Sequence, residues 1–301
     1  MPTELRWEDL QRPADEELLV VVGPTASGKT ELALRLAERF GGEIVGADSV
    51  QIYRRFDLGS GKPTAEEQRR APHHLVDVAD PDEPFDAQRF TALADRAIAA
   101  IRARGRVPIV CGGTYLWVRA LVHGLAPAPP ADAEVRARHA AIAATEGRAA
   151  LHARLQAVDP SSAARLAPND LVRVSRSLEV WELSGKPQSA WFAEHGFRTS
   201  RHPARLLGAL RERDELDRRI AARTAQWLAM GWVDEVQRLI AEGHGETRAM
   251  GSVGYRQVRE HLEGKIAAAD LEGAVVRATR IFTRRQRTWL RDEAVGWVRE
   301  G

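Results

Sequence analysis

The sequence predicts an α/β fold in which a parallel β-sheet carries helices on both faces. Short β-branched apolar runs alternate with amphipathic segments, and a glycine-rich turn joins the first run to the first such segment. Leu18–Val22 is predicted to be a buried strand, Gly23–Gly28 the turn, and Lys29–Phe40 a helix. A continuous apolar run suits a parallel strand, because both of its faces are covered.

The alternation continues along the chain. We expect a strand over Glu43–Ala47, a helix from Asp86 to about Arg104, and a strand over Val107–Cys111. A later apolar segment, Ala204–Leu210, is expected to return to the sheet. Three C-terminal helices are then predicted, over Asp214–Met230, Val233–Ala241 and Ala269–Arg291. The chain thus begins and ends in one α/β core.

A proline-rich segment divides that core. Residues 126–130 read Ala-Pro-Ala-Pro-Pro, and the residues from 131 to about 197 show helical patterning without strand-like alternation. We therefore expect an inserted, mainly helical subdomain over residues 126–197. The predicted catalytic core comprises residues 1–125 and 198–301 and includes the basic C-terminal helices.

Composition excludes several classes of protein. The chain is 44% hydrophobic and 29% charged, which is typical of a globular protein. The N-terminal region is acidic, and its longest apolar run is Leu18–Val22, so we expect neither a signal peptide nor a membrane span. A single cysteine, Cys111, cannot form an internal disulfide. We expect a cytoplasmic monomer that does not contact membranes.

Arginine dominates the basic residues. The net charge is only +2, but 40 of the 44 basic residues are arginine, a bias that codon usage in a GC-rich genome also explains. One cluster is nevertheless distinctive, because no acidic residue interrupts it and five of its six members share a helix face. It comprises Arg277, Arg280, Arg284, Arg285, Arg287 and Arg291. Such a stripe suits a nucleic-acid backbone, and a merely solvated face is the alternative.

The glycine-rich turn matches a phosphate-binding motif in full. The motif, G-x-x-x-x-G-K-[ST], comprises Gly23, Pro24, Thr25, Ala26, Ser27, Gly28, Lys29 and Thr30. Backbone N–H groups of such a loop surround phosphate oxygens at the positive end of the following helix. Lys29 adds a positive charge, and the Thr30 hydroxyl is a ligand for Mg²⁺. A P-loop NTPase-like core is therefore predicted, and the motif itself is shared with ATP- and other nucleotide-binding proteins.

Two polar residues follow neighbouring strands. Asp48 and Thr114 come after the second and third predicted strands, and ligands bind at the carboxyl edge of open parallel sheets. A carboxylate there suits a Mg²⁺ ligand or a general base. Helix capping is the alternative role for both side chains.

The chain resembles the tRNA dimethylallyltransferases, or tRNA isopentenyltransferases. The shared stretches run from residue 23 to residue 291, so the resemblance covers nearly the whole chain. Besides the phosphate motif they are Asp48–Tyr53, Gly61–Thr64, Pro72–Leu75, Gly112–Leu116, Asn169–Asp170, Gly254–Gln257 and Arg284–Arg291. The D-S-x-Q-x-Y stretch and the R-Q-x-T-W-L-R ending are the most specific. No zinc-finger extension follows Arg291, as expected of a bacterial-type enzyme.

The resemblance implies a reaction and roles for individual residues. The family transfers a dimethylallyl group from dimethylallyl diphosphate to N6 of the adenine at tRNA position 37, which leaves its stack to react. By this resemblance the loop holds a prenyl diphosphate, which Lys29, Thr30, Mg²⁺ and Arg223 stabilise as it departs. Asp48 would accept the N6 proton, and Thr114 would assist near the leaving oxygen.

The resemblance also implies a set of tRNA-contacting positions. These are Asp48, Ser49, Val50, Gln51, Arg136, Val172, Arg173, Val174, Ser175, Arg176, Gly251, Ser252, Val253, Gly254, Tyr255, Arg256, Arg284, Arg285, Gln286, Arg287, Thr288, Trp289, Leu290 and Arg291. Gly251 departs from relatives in which this position is basic.

Three other functions explain part of the sequence. A small-molecule P-loop kinase accounts for the phosphate motif and Asp48 but gives the arginine stripe no role. A non-catalytic, nucleotide-dependent RNA-binding protein accounts for the stripe but leaves Thr114 unused. A prenyltransferase acting on free AMP needs neither the helical insertion nor a basic C-terminal helix.

Overall fold

A seven-stranded parallel sheet forms the centre of the protein. The structure, a computed structural model, describes residues 3–197, 199–291 and 293–299. The strands are β1 (Thr3–Arg6), β2 (Leu18–Val22), β3 (Gly42–Gly46), β4 (His73–His74), β5 (Val107–Cys111), β6 (Ala204–Ala209) and β7 (Val295–Arg299). Their order is β1-β7-β6-β2-β5-β3-β4, and every pairing is parallel. With its glycine-rich loop between β2 and a helix, this is a P-loop NTPase-like architecture.

Helices cover both faces of this sheet. The helices between and after its strands are α1 (Lys29–Phe40), α2 (Ala65–Arg70), α3 (Ala87–Ala103), α4 (Tyr115–His123), α10 (Arg213–Ala229), α11 (Trp232–Ala241), α12 (Tyr255–Leu262) and α13 (Leu271–Leu290). Between α4 and β6 lie α5 (Ala133–Thr145), α6 (Arg148–Val158), α7 (Pro160–Arg165), α8 (Leu171–Ser184) and α9 (Gln188–His195). The chain divides into two compact units, Met1–Val122 with His202–Gly301, and His123–Arg201. We call them the core unit and the helical unit.

The alternation of side chains along β2 explains why the core unit has two hydrophobic layers. Leu18, Val20 and Val22 point into one layer, which also contains the buried residues of α3, α4 and α11. Leu19 and Val21 point into the other, where they meet α1. All five side chains are fully buried, as expected for a central parallel strand.

The helical unit has its own small core. Leu151 and Leu155 of α6 pack with Val174 and Leu178 of α8 and with Ala163. Asp132 caps α5 by accepting a hydrogen bond from Val135 N at 2.9 Å. The described part of the unit contains helices and no strand, in keeping with the predicted patterning, and the predicted boundary at 198 lies outside the described residues.

The predicted central elements are confirmed, and the sheet edges were missed. Strand β5 has the predicted bounds, and β6 completes the sheet beside β2. Strand β3 begins at Gly42, one residue before the prediction. No strand was predicted over β1, β4 or β7, which lie at or next to the edges of the sheet.

Candidate active site

Two glycines permit the backbone conformation of the phosphate loop. Gly23 has a φ of 159°, and a Cβ there would lie 2.5 Å from Ser27 Oγ. Gly28 adopts a φ of 93° at the N-terminus of α1, where no side chain caps the first turn. The first N–H groups of α1 are therefore free of side-chain partners and face the loop as an anion site.

Four cations surround the loop. Lys29 is partly buried at the start of α1, and the loss of hydration lowers its pKa, although Cys111 and Asp48 act in the opposite direction. Burial also lowers the pKa of Arg223 to about 10. A Cβ on Gly28 would lie 3.5 Å from Arg211 Nη2 and 3.7 Å from Arg219 Nη2. Partly buried positive charge beside uncapped N–H groups favours a polyanion such as a diphosphate.

Asp48 caps a turn and keeps one oxygen available. It follows β3, and its Oδ1 accepts hydrogen bonds from Val50 N at 2.9 Å and Gln51 N at 3.3 Å. Within the described residues, Oδ2 has no hydrogen-bond partner. The capping role considered from the sequence therefore coexists with a second oxygen free to act, and the charge of Asp48 is close enough to favour the charged forms of Lys29 and Arg223.

Thr114 contacts the Asp48 turn. Its Oγ1 accepts a hydrogen bond from Ser49 N at 3.0 Å and donates to Ser49 Oγ at 3.3 Å. Its own N–H donates to the Ala47 carbonyl at 3.2 Å. Although Thr114 directly precedes α4, its side chain bonds to Ser49 after β3 instead of capping the first turn of α4. Asp48 and Thr114 thus meet at the carboxyl edge, as predicted.

Helix α13 presents its arginines outward. Arg284, Arg285 and Arg287 are exposed, whereas Arg280 is partly buried and pairs with Asp217 at 3.3 Å. A cavity of about 1020 Å³ lies between the phosphate loop, the end of β6 and the end of α13. Arginines from two directions line it, namely Arg211, Arg213, Arg284, Arg287 and Arg291. The C-terminal part of the stripe therefore lies beside the phosphate loop.

Some positions in the predicted tRNA-contacting stretches face inward. Val174, Tyr255, Gln286 and Leu290 are at most 5% exposed. Tyr255 donates a 2.6 Å hydrogen bond to Glu235, which belongs to the core beneath that turn. Such residues shape their segments, and direct contact with RNA is open only to their exposed neighbours, for example Arg256, Arg284 and Trp289.

In the helical unit, two predicted tRNA-contacting arginines share one buried carboxylate. Glu179 is fully buried and accepts hydrogen bonds from Arg136 Nε at 2.8 Å and Arg176 Nη1 at 2.5 Å. Burial alone would raise the pKa of Glu179, but these bonds and one from Asp132 N hold it below its usual value. The Arg136 side chain remains half exposed.

Sequence reasoning missed several residues near the loop. Arg211 follows β6, and Arg219 lies one helical turn before Arg223, so strand-end position and helical phase were the available signals. Cys111 ends β5 beside Lys29, and burial raises the pKa of its thiol to about 11. Among the described residues, no three His, Cys, Asp or Glu side chains cluster in a way that could hold a metal ion. No described helix is both long and apolar enough to cross a membrane.

Comparisons with known proteins identify one family of enzymes. A family model described as IPP transferase matches residues 51–293, and one described as isopentenyl transferase matches residues 16–79. A tRNA dimethylallyltransferase of Sorangium cellulosum is 72% identical over 292 residues, which are 97% of this chain and 93% of the relative.

Solved structures of similar proteins share the fold. A full-length tRNA isopentenylpyrophosphate transferase of Bacillus halodurans is 36% identical, with a TM-score of 0.70 over 94% of this chain and 90% of that one. A eukaryotic dimethylallyltransferase acting on tRNA is 26% identical, with a TM-score of 0.74 over 91% of this chain and 70% of that one. With a family model spanning most of its length and relatives this similar, the chain belongs to the tRNA dimethylallyltransferase (IPP transferase) family.

Proposed function

We propose that this protein transfers the dimethylallyl group of dimethylallyl diphosphate to N6 of the adenine at position 37 of tRNA and releases diphosphate. The observation that carries the proposal is the meeting of a partly buried cationic phosphate loop with Asp48 and Thr114 at one sheet edge. Membership of the family supports this choice of donor and acceptor.

The phosphate loop would hold the leaving group. As the allylic C–O bond breaks, negative charge grows on the departing diphosphate, and preorganised donors stabilise that charge most. Lys29 and Arg223 supply two partly buried positive charges, and residues 23–30 supply backbone N–H groups and the Thr30 hydroxyl. These groups are fixed before the substrate arrives, so little reorganisation is needed in the transition state.

Asp48 would take the proton from the acceptor. The N6 lone pair attacks the allylic carbon, the C–O bond to diphosphate breaks, and the nitrogen loses one proton. The Oδ2 of Asp48 suits this role because the turn amides hold Oδ1 and fix the plane of the carboxylate. Thr114 holds the same turn through Ser49 and would lie near the leaving oxygen.

The residues present fit Mg²⁺. Among the residues that the structure describes, the site offers hard oxygen donors, the Thr30 hydroxyl and the Asp48 carboxylate, and one soft ligand, the partly buried Cys111 thiol. Mg²⁺ is usually held by one or two protein oxygens together with substrate phosphates and water, so a dedicated cluster of carboxylates is unnecessary. Thr30 would hold the ion, which would neutralise charge on the diphosphate.

The tRNA would be held by both units. In the core unit the exposed members of Asp48–Gln51, Gly251–Arg256 and Arg284–Arg291 would contact it, and in the helical unit Arg136 and the exposed members of Val172–Arg176. Phosphate contacts of this kind offset the cost of extruding the target base. We place the reaction in the cytoplasm, where tRNA is abundant, and assign it to a monomer.

A label-transfer assay tests the proposal. Purified protein is given unmodified tRNA, Mg²⁺ and dimethylallyl diphosphate labelled in its five-carbon group, with AMP replacing tRNA in a second reaction and γ-labelled ATP replacing the donor in a third. We expect label in tRNA only. Label in AMP, or γ-phosphate transfer from ATP, would favour the AMP prenyltransferase or the kinase instead.

A further inference from the structure

A buried glutamine joins the two halves of the candidate site. Gln286 lies on the inner face of α13 and is 5% exposed. Its Oε1 accepts a hydrogen bond from Thr25 N of the phosphate loop at 2.9 Å, and its Nε2 donates to the Gly113 carbonyl at 3.1 Å. One side-chain amide therefore spans the phosphate loop and the loop that carries Thr114.

The chemistry of both contacts requires an amide. Thr25 presents a backbone donor and Gly113 a backbone acceptor, so the connecting side chain must accept at one end and donate at the other. A glutamate would place a second oxygen against the Gly113 carbonyl, and an alanine would leave both buried backbone groups without this partner.

Gly113 is packed tightly against this amide. A Cβ at position 113 would lie 2.7 Å from Gln286 Nε2 and 3.9 Å from Lys29 Nζ. The next residue, Thr114, holds the Asp48 turn through Ser49 N. A continuous path of hydrogen bonds and peptide bonds thus runs from the phosphate loop through Gln286 to the turn that carries the proposed base.

We propose that Gln286 is a positioning residue that sets the distance between the donor-binding loop and the Thr114–Asp48 pair. This inference rests on the function proposed above, since it gives those two groups their roles. Gln286 acts through Thr25 and Gly113 without touching substrate, so its loss should slow transfer at saturating substrate and leave tRNA affinity unchanged.

The kinetic test compares Gln286→Glu and Gln286→Ala with Thr283→Val. Thr283 is buried one turn earlier on the same face of α13, and its hydroxyl bonds only within the helix, to Thr279 O at 2.8 Å. We expect kcat to fall on the order of 10²-fold in both Gln286 variants, as for a misplacement of about 1 Å, with the Kd for tRNA unchanged. Thr283→Val should keep near-wild-type kcat. Equal losses of kcat in all three variants would show that Gln286 contributes only to packing.

A double-mutant cycle tests the contact itself. Gly113→Ala should slow transfer because its new methyl group meets Gln286, and Gln286→Ala removes that obstacle. The double variant should therefore be no slower than Gln286→Ala alone, since coupled sites are not additive. If the losses of transfer rate in the two single variants multiply in the double variant, the inference is wrong.

Amide hydrogen exchange separates this inference from the proposed function. Gln286→Ala should speed exchange at the Thr25 amide, and Thr283→Val should not, whether or not the wild-type protein transfers the dimethylallyl group. Unchanged exchange at Thr25 in Gln286→Ala would contradict only the positioning role. An inactive wild-type protein would contradict only the proposed reaction.

Discussion

Lys29 shows how the site is prepared for an anion. Its side chain is partly buried, and this lowers its pKa because the charged form loses hydration. Without a bound anion, the ammonium therefore lowers stability fully at pH values below the lowered folded pKa, and this cost fades as the pH rises from that value to the usual lysine pKa. A bound diphosphate reverses the effect by favouring the charged form.

Replacing Lys29 by Met should separate stability from binding. The uncharged side chain of similar length removes the partly buried charge, so the ligand-free protein should unfold at a higher temperature, by roughly 2–4 °C for each kcal/mol relieved. Inorganic diphosphate should no longer raise the Tm. Thermal unfolding with and without diphosphate measures both effects, and Lys265→Met, at an exposed lysine, is the control. A diphosphate-dependent Tm retained in Lys29→Met would contradict the proposed orientation of the donor.

Asp48→Asn tests the proton acceptor without disturbing its turn. Asparagine keeps an oxygen for the amides of Val50 and Gln51, but it is not a base. Turnover should fall by roughly 10² to 10⁴, the usual contribution of a positioned general base. Single-turnover kinetics give the rate, and a gel shift should show little change in tRNA affinity. An unaltered rate would remove Asp48 from the mechanism.

Helix α13 has two faces with separate tasks. Thr279, Thr283, Gln286 and Leu290 recur at four-, three- and four-residue steps and are buried, while Arg284, Arg285 and Arg287 between them are exposed. The arginines alone do not show which residues of α13 face inward. The helical spacing of the uncharged polar residues between the arginines was the signal that would have placed Gln286 on the buried face.

The outer face of α13 should set the salt dependence of tRNA binding. Changing both Arg284 and Arg287 to Ala removes two phosphate contacts, so the slope of log K against log salt concentration should lose about two units. The matched control replaces Arg69 and Arg96, two exposed arginines outside the proposed tRNA-binding segments, and alters net charge equally. Binding titrations at several salt concentrations measure the slopes. Equal slopes for the two double variants would show that the α13 arginines are merely solvated.

Local pattern was enough to predict the central elements of the sheet. The apolar runs of β2 and β5 and the glycine loop carry their own signals, because burial on both faces and positive φ angles restrict residue types locally. Strands β1 and β7 pair with each other although almost the entire chain separates them in sequence. Thr3–Arg6 also has no long apolar run. That pairing depends on tertiary contacts. Helix α2 did have a local signal that was overlooked, the capping box of Thr64 and Glu67.

The candidate site was predictable where a backbone motif defines it. Residues 23–30 and the strand ends at Asp48 and Thr114 follow from sequence order and sheet topology. Arg211, Arg219 and the inward orientation of Tyr255 do not, because each depends on how separate elements pack. No short motif encodes that packing.

At the scale of the molecule, the proposed tasks divide between the two units. The groups proposed to bind diphosphate and move the proton all belong to the core unit, whereas Arg136 and Val172–Arg176 belong to the helical unit. The helical unit has a separate core around Leu155 and Leu178. A lesion confined to it should therefore weaken tRNA binding and spare the donor site.

Glu179→Gln is such a lesion. The amide can accept a hydrogen bond but carries no charge for Arg136 and Arg176, and the buried network should lose about 1–3 kcal/mol. Because the pKa of Glu179 is held below its usual value, the carboxylate stabilises the protein above the ordinary glutamate pKa, and this contribution disappears as the pH falls through the lowered folded pKa. Glu179→Gln should therefore bind tRNA more weakly than wild type at neutral pH, and the difference in stability between variant and wild type should narrow under acid conditions.

The affinity of Glu179→Gln for inorganic diphosphate, measured by calorimetry, should be unchanged. Glu146→Gln makes the same chemical change at an exposed pair with Arg154 in the same unit and should leave both affinities as in wild type. A parallel loss of diphosphate and tRNA affinity in Glu179→Gln would show that the two units do not divide these tasks.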